Sequence, residues 1–148
     1  TMRIIEFRGR NDYGKWIYGF LMVQQGHWGK NYYIYSKAHS VWLPVDKKTI
    51  GQYTGLKDRV HRRIYDGDLL LYHDEHNVRF AFVVTFKLGV YQVESPGVIP
   101  VALKHRHKEM IVIGNIHDNP EIVKEMKSHR VNLLCEVEDV EISDEDGD

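Results

Sequence analysis

A chain of 148 residues is long enough to bury most of the apolar surface that one domain needs, so no disulfide or metal staple is required for folding. A hydrophobic share of 43% and a charged share of 28% exclude a fibrous or wholly disordered body, and no apolar run approaches the length of about 18 residues that spans a bilayer. The formal net charge of −1 hides an asymmetry: residues 1–135 hold 20 Lys and Arg against 13 Asp and Glu, whereas residues 136–148 hold eight acids and no base.

The chain opens with Arg3, Glu6 and Arg8 and lacks a signal-type apolar core, which points to the bacterial cytoplasm. Met2–Phe7 predicts a first strand, with Arg8, Gly9 and Arg10 leading into a turn at Asn11–Gly14. From Lys15 to Val23, large apolar residues fall on both phases of the alternation, which predicts a strand partly buried on both faces. A turn over Gln24–Lys30 follows, then strands at Tyr32–Tyr35 and Val41–Val45. Pro44 places the second at a sheet edge, because it cannot donate to a ladder.

Thr49–Thr54 and Ile64–Tyr72 predict the central strands, separated by a loop carrying Lys57, Arg59, His61, Arg62 and Arg63. Val78–Phe86 and Val90–Val93 flank a glycine turn, Val98–Leu103 adds a strand, and Met110–Ile116 reads as a buried strand in which Gly114 allows a bulge. One helix is predicted from Asn119 to about Ser128. Asn119 suits a cap, Pro120 the first helical position, and Ile122, Val123 and Met126 one apolar face. Leu133–Val137 predicts a last strand holding Cys135, the single cysteine, which cannot form an internal disulfide. The acidic run 136–148 reads as a solvated tail, one able to compete with an anionic ligand for the basic body.

Four segments in order carry a family resemblance: Glu6-Phe7-Arg8-Gly9 with Gly14-Lys15-Trp16-Ile17-Tyr18-Gly19; Thr49-Ile50-Gly51-Gln52-Tyr53-Thr54-Gly55-Leu56-Lys57-Asp58; Ile64-Tyr65-Asp66-Gly67-Asp68; and Ile113-Gly114-Asn115-Ile116 closed by Asn119-Pro120-Glu121. In this order and spacing the chain resembles the YopX-like phage and prophage proteins. The resemblance implies a β-rich, self-associating protein without an established biochemical activity, and it transfers no catalytic residue. Two departures stand out. The loop after Asp58 reads Arg-Val-His-Arg-Arg where the family has an Asn-Gly-type turn, and residues 129–148 run past the family's usual end.

Three chemistries compete for the charged connections. Lys57, Arg59, Arg62 and Arg63 in one loop, with Lys104 and Arg106 in another, are of the type that neutralises phosphates, and Tyr53 or Tyr65 nearby could stack on bases. His73, His76, His105 and His107, with Asp74, Glu75, His117 and Asp118, form weak candidates for a metal-dependent hydrolase; their spacing matches no zinc motif, and clusters arise easily among nine histidines. Asp66 and Asp68 flank a glycine, where carboxylates usually bond their own backbone. No nucleophile elbow, Walker loop or dinucleotide fingerprint is present, so neither a catalytic residue nor a cofactor is assigned.

The sequence thus predicts a mainly β fold, an SH3-like barrel or β-roll with one C-terminal helix. One domain over residues 1–135 precedes the tail. The function expected is that of a non-enzymatic phage accessory module that binds itself, a protein, or an anionic ligand such as nucleic acid, away from any membrane.

Overall fold

Asn11 starts the first hairpin: its side-chain oxygen accepts from the backbone N–H groups of Tyr13 (3.0 Å) and Lys15 (2.9 Å), closing a turn that leaves the chain antiparallel to itself. The computed structural model in which this is seen describes residues 2–127. The expected strand at Leu133–Val137, Cys135, and the acidic run 136–148 lie outside the described residues. Among the described residues the chain divides into two compact units, with the boundary between Gly55 and Leu56.

In the first unit, β1 (Phe7–Arg10), β2 (Trp16–Gly26), β3 (Gly29–Ser36), β4 (Val41–Pro44) and β5 (Gly51–Lys57) line up in the order β4-β3-β2-β1-β5. The opening strand sits later than the sequence suggested. Phe7 and Arg8 are flanked on both sides, by Gly19 and Tyr18 of β2 and by Gln52 and Gly51 of β5, so pairing overrides the turn character of Arg8-Gly9-Arg10. Met2–Ile5 stay exposed. Along β2, Ile17 and Gly19 are buried and Tyr18 and Phe20 exposed, while Trp16 and Met22, on the phase of Tyr18, are half-buried, so the second face is covered only in part. Ile34, fully buried, and Gly9, packed against Val45 and Ile34, hold the covered face. β4 is an edge strand, as Pro44 requires. Thr49 belongs to a 3-10 turn, Lys47–Thr49, capped by Asp46, and the strand proper begins at Gly51.

The second unit takes over at Leu56. β6 (Arg63–Tyr65) returns beside the end of β5, and β7 (Asp68–His73), β8 (Arg79–Lys87), β9 (Val90–Glu94), β10 (Val101–Ala102) and β11 (Met110–Asn115) form a second antiparallel sheet in the order β10-β9-β8-β7-β11. The stretch expected as one strand from Ile64 to Tyr72 is two, because Gly67 turns the chain at φ 87°. Leu88 (φ 53°) and Gly89 (φ 79°) make the tight β8–β9 turn that right-handed strand twist favours. A register shift between Val112 and Gly114 is the bulge expected there.

Ile64, Leu70, Phe82, Val84, Val93, Leu103 and Met110 form the core of this unit. Burying each such side chain is worth roughly 1.5–3 kcal/mol. The helix, α1 (Pro120–Lys127), starts one residue after Asn119. Val123 and Met126 face Val83 and Thr85 of β8 across a cavity of about 410 Å³. Asn119 does not cap α1 with its side chain. Its oxygen turns back to the Asn115 N–H (3.2 Å), while Asn115 Oδ1 accepts from His117 and Asp118 (3.0 and 2.9 Å).

Among the described residues the fold class is therefore mainly β with one α-helix, as read from the sequence. Among the described residues the strands form two antiparallel sheets and close no barrel, and no helix is long and apolar enough to cross a membrane.

Candidate anion-binding surface

Asp58 organises the basic loop. Its Oδ1 accepts from the N–H groups of Val60 (2.9 Å) and Arg62 (2.8 Å), and its Oδ2 accepts from Val112 N–H (2.9 Å) on β11. Only 3% exposed, the carboxylate is satisfied by three backbone donors rather than by water. His61, at φ 65°, occupies the left-handed position that an Asn-Gly turn would fill. The loop is thus a built turn, folded by its own carboxylate.

Two further bonds bring the second basic stretch to the first. Arg59 N–H donates to the Met110 carbonyl (2.8 Å), and His107 Nδ1 lies 2.6 Å from the Lys57 carbonyl oxygen, the protonated tautomer donating. Residues 104–108 are not a strand; they run through two 3-10 turns, Leu103–His105 and His107–Glu109, anchored by the fully buried Leu103. His105 is exposed and His107 half-buried.

The two joined segments carry Lys57, Arg59, Arg62, Arg63, Lys104, Arg106 and Lys108 against two acids, Asp58 and Glu109. Arg59, Lys104 and Lys108 are the exposed cations; the other four are half-buried. Arg106 is bonded to Glu109 (3.0 Å) and lies 5.7 Å over the Tyr72 ring, and the Glu109 carboxylate raises its pKa further above the usual guanidinium value. That pairing removes part of its charge from the surface and fixes its orientation.

The two tyrosines proposed for stacking are elsewhere. Tyr53 is 4% and Tyr65 5% exposed, so both rings are core material, and neither can accept a base on its face. Alternation on paired strands buries them, a consequence of which face is covered. The weak metal candidates also stay apart: His73 and His76 flank an exposed turn whose fold consumes Asp74 Oδ1, which accepts from His76 and Val78 N–H (2.9 and 2.7 Å). Among the described residues no group of three or more His, Cys, Asp or Glu side chains gathers to hold a metal. Asp68, 1% exposed, accepts from Tyr65 N–H at 2.8 Å, the backbone role usual beside a glycine turn.

What sequence reasoning missed is the role of Asp58 as the acceptor that folds the loop and ties it to β11. An Asp opening a tight loop, with basic residues following and an apolar strand distant in sequence to donate to it, is a readable signal for the turn but not for the partner at Val112.

The pattern of the YopX protein family matches residues 6–124. No curated protein matches the chain. Among solved structures, protein yopX from Bacillus subtilis is similar at 21% identity and a TM-score of 0.52, over 81% of this chain and 98% of that one. Protein EF1440 from Enterococcus faecalis is similar at 20% identity and a TM-score of 0.49, over 82% of this chain and 99% of that one. At such identity the Bacillus subtilis likeness speaks to the fold alone.

Proposed function

Because this chain belongs to the YopX protein family, a premise that brings a fold and no reaction, we propose that it is a non-enzymatic binding module whose ligand carries phosphates, nucleic acid before any other. It is phage- or prophage-encoded, works in the bacterial cytoplasm and associates with itself. The observation supporting the ligand is the junction of two basic segments, distant in sequence, by the His107–Lys57 and Arg59–Met110 bonds. Cations held on a folded surface meet a phosphate backbone with less ordering cost than cations on a free loop. The metal-dependent hydrolase reading receives no such support.

The test is fluorescence anisotropy with DNA and RNA over a range of salt. Affinity should fall log-linearly with salt, with a slope of about −0.9 per neutralised phosphate on duplex DNA. Replacing Arg59, Lys104 and Lys108 together by Ala should lower low-salt affinity by roughly tenfold or more and flatten the slope by about two to three contacts. No binding to any nucleic acid at low salt would reject the ligand class. Light scattering decides self-association, which a strict monomer at high concentration would remove. Deleting residues 136–148 should tighten binding at low salt if their eight acids compete for the surface.

A further inference from the structure

The exposed face of the first sheet carries aromatic rings in register. Trp42 of β4 stands opposite Tyr35 of β3, and Tyr35 opposite Phe20 of β2, so three rings cross three strands in one row. Trp42 and Tyr35 meet edge to face, with centroids 5.3 Å apart. Tyr18, two residues before Phe20 and thus on the same face, extends the row along β2. Phe20 is 54%, Trp42 44% and Tyr18 42% exposed, while Ile17 and Ile34 fill the opposite, covered face. Aromatic area of this extent left open on a regular sheet is unusual unless something docks there.

Charge identifies what docks. Residues 1–55 hold eight Lys and Arg against three acids. Of the cations near these rings, Lys37 lies 5.7 Å over Phe20 with its side chain 55% exposed, and Arg10 lies 5.7 Å over Trp16, further along the same phase of β2. Arg8, 4.7 Å over Trp16, is buried and offers no charge to a ligand. Glu6 on this face is already held by Lys37 at 3.2 Å and is 6% exposed. Flat rings bordered by cations suit a ligand that offers flat bases and a phosphate backbone together, whereas a duplex hides its base faces.

We propose that the Trp42–Tyr35–Phe20 row is a stacking platform for single-stranded nucleic acid, with Lys37 beside a phosphate. The inference rests on the nucleic-acid reading for its ligand class and adds a second surface and a preference for unpaired bases.

The experiment compares an oligothymidine with an abasic oligomer of equal length and phosphate number, following anisotropy and tryptophan emission. The oligothymidine should bind roughly tenfold tighter and quench emission, since a stacked base contributes on the order of a tenfold factor. Phe20→Leu with Trp42→Leu, which keep apolar bulk and remove the rings, should bring its affinity down to that of the abasic oligomer. Each single variant, checked by circular dichroism, serves if the double variant does not fold, and should lose about half of the logarithmic difference. Equal affinity of the two oligomers would overturn the platform and leave the basic-surface reading intact. A base preference untouched by the variants would overturn it too, and no binding of either oligomer would overturn both. A concentration-dependent blue shift of the tryptophan emission without oligomer, abolished by Trp42→Leu, would give the face to a second copy and overturn the platform.

Discussion

Residues 2–55 and 56–127 are both built of alternating antiparallel strands, yet they place their large side chains differently. In the second sheet Leu70, Val84 and Val93 are at most 1% exposed, the open rings Phe80 and Phe86 stand apart near the two ends of β8, and the cations are held in loops. In the first sheet the phase opposite Ile17 and Ile34 stays open, and the chemistry left outside is a row of rings. One alternation rule therefore yields a charged surface or an aromatic one. What differs is whether other chain covers the second face, because an uncovered phase keeps whatever side chains the strand carries.

Variants can break this contrast at graded cost. Gly19→Ala should be the most damaging, since its Cβ would fall inside van der Waals distance of the Tyr35 backbone carbonyl, where no side-chain rotation relieves the clash. A loss of about 3 kcal/mol or more, read by urea denaturation, would confirm that β2 and β3 meet as closely as described. An unchanged midpoint would show the aromatic row to be looser than its register implies.

Asp58→Ala comes next, in the second region. Leaving the Val60, Arg62 and Val112 N–H groups without their acceptor should cost about 2–4 kcal/mol and weaken nucleic-acid binding as well, because the same carboxylate shapes the basic loop. Normal stability in Asp58→Ala would mean the loop holds itself. His107→Ala should cost about 1 kcal/mol, one part-buried hydrogen bond, and lower affinity a few-fold by freeing residues 104–108 from Lys57.

The smallest effect belongs to the β8–β9 hairpin. Lys87 donates to Glu94 at 2.8 Å, and this hydrogen bond, more than charge attraction alone, holds the Glu94 carboxyl below its ordinary pKa despite some burial. A lowered carboxyl pKa contributes stability that is present above the unfolded value and is lost as pH falls through the folded one. Glu94→Gln should therefore be indistinguishable from wild type in strong acid and less stable above the ordinary carboxylate range, by under about 1 kcal/mol for a surface pair. Matched thermal melts at the two pH values would show it, and an equal deficit at both would assign the loss to packing.

Elements were legible where a local rule decided them. The turn at Leu88-Gly89, the bulge at Gly114, the edge position of Pro44 and the start of the helix at Pro120 follow from the residues themselves. The expected strand from Met2 was misplaced, and the tyrosines at 53 and 65 were assigned to a surface they do not reach, because each depended on partners remote in sequence. Asn119 illustrates the same limit: its residue type promised a cap, and the neighbouring Asn115 backbone claimed its oxygen instead.

The sequence by itself determined the β-rich class, the family, and which connections carry cations, since alternation, glycine corners and charge are written residue by residue. Only the tertiary structure decided that the segments 57–63 and 104–108 form one surface and that Trp42, Tyr35 and Phe20 form one row. Both are matters of strand register and long-range hydrogen bonding, which join residues that no local pattern relates.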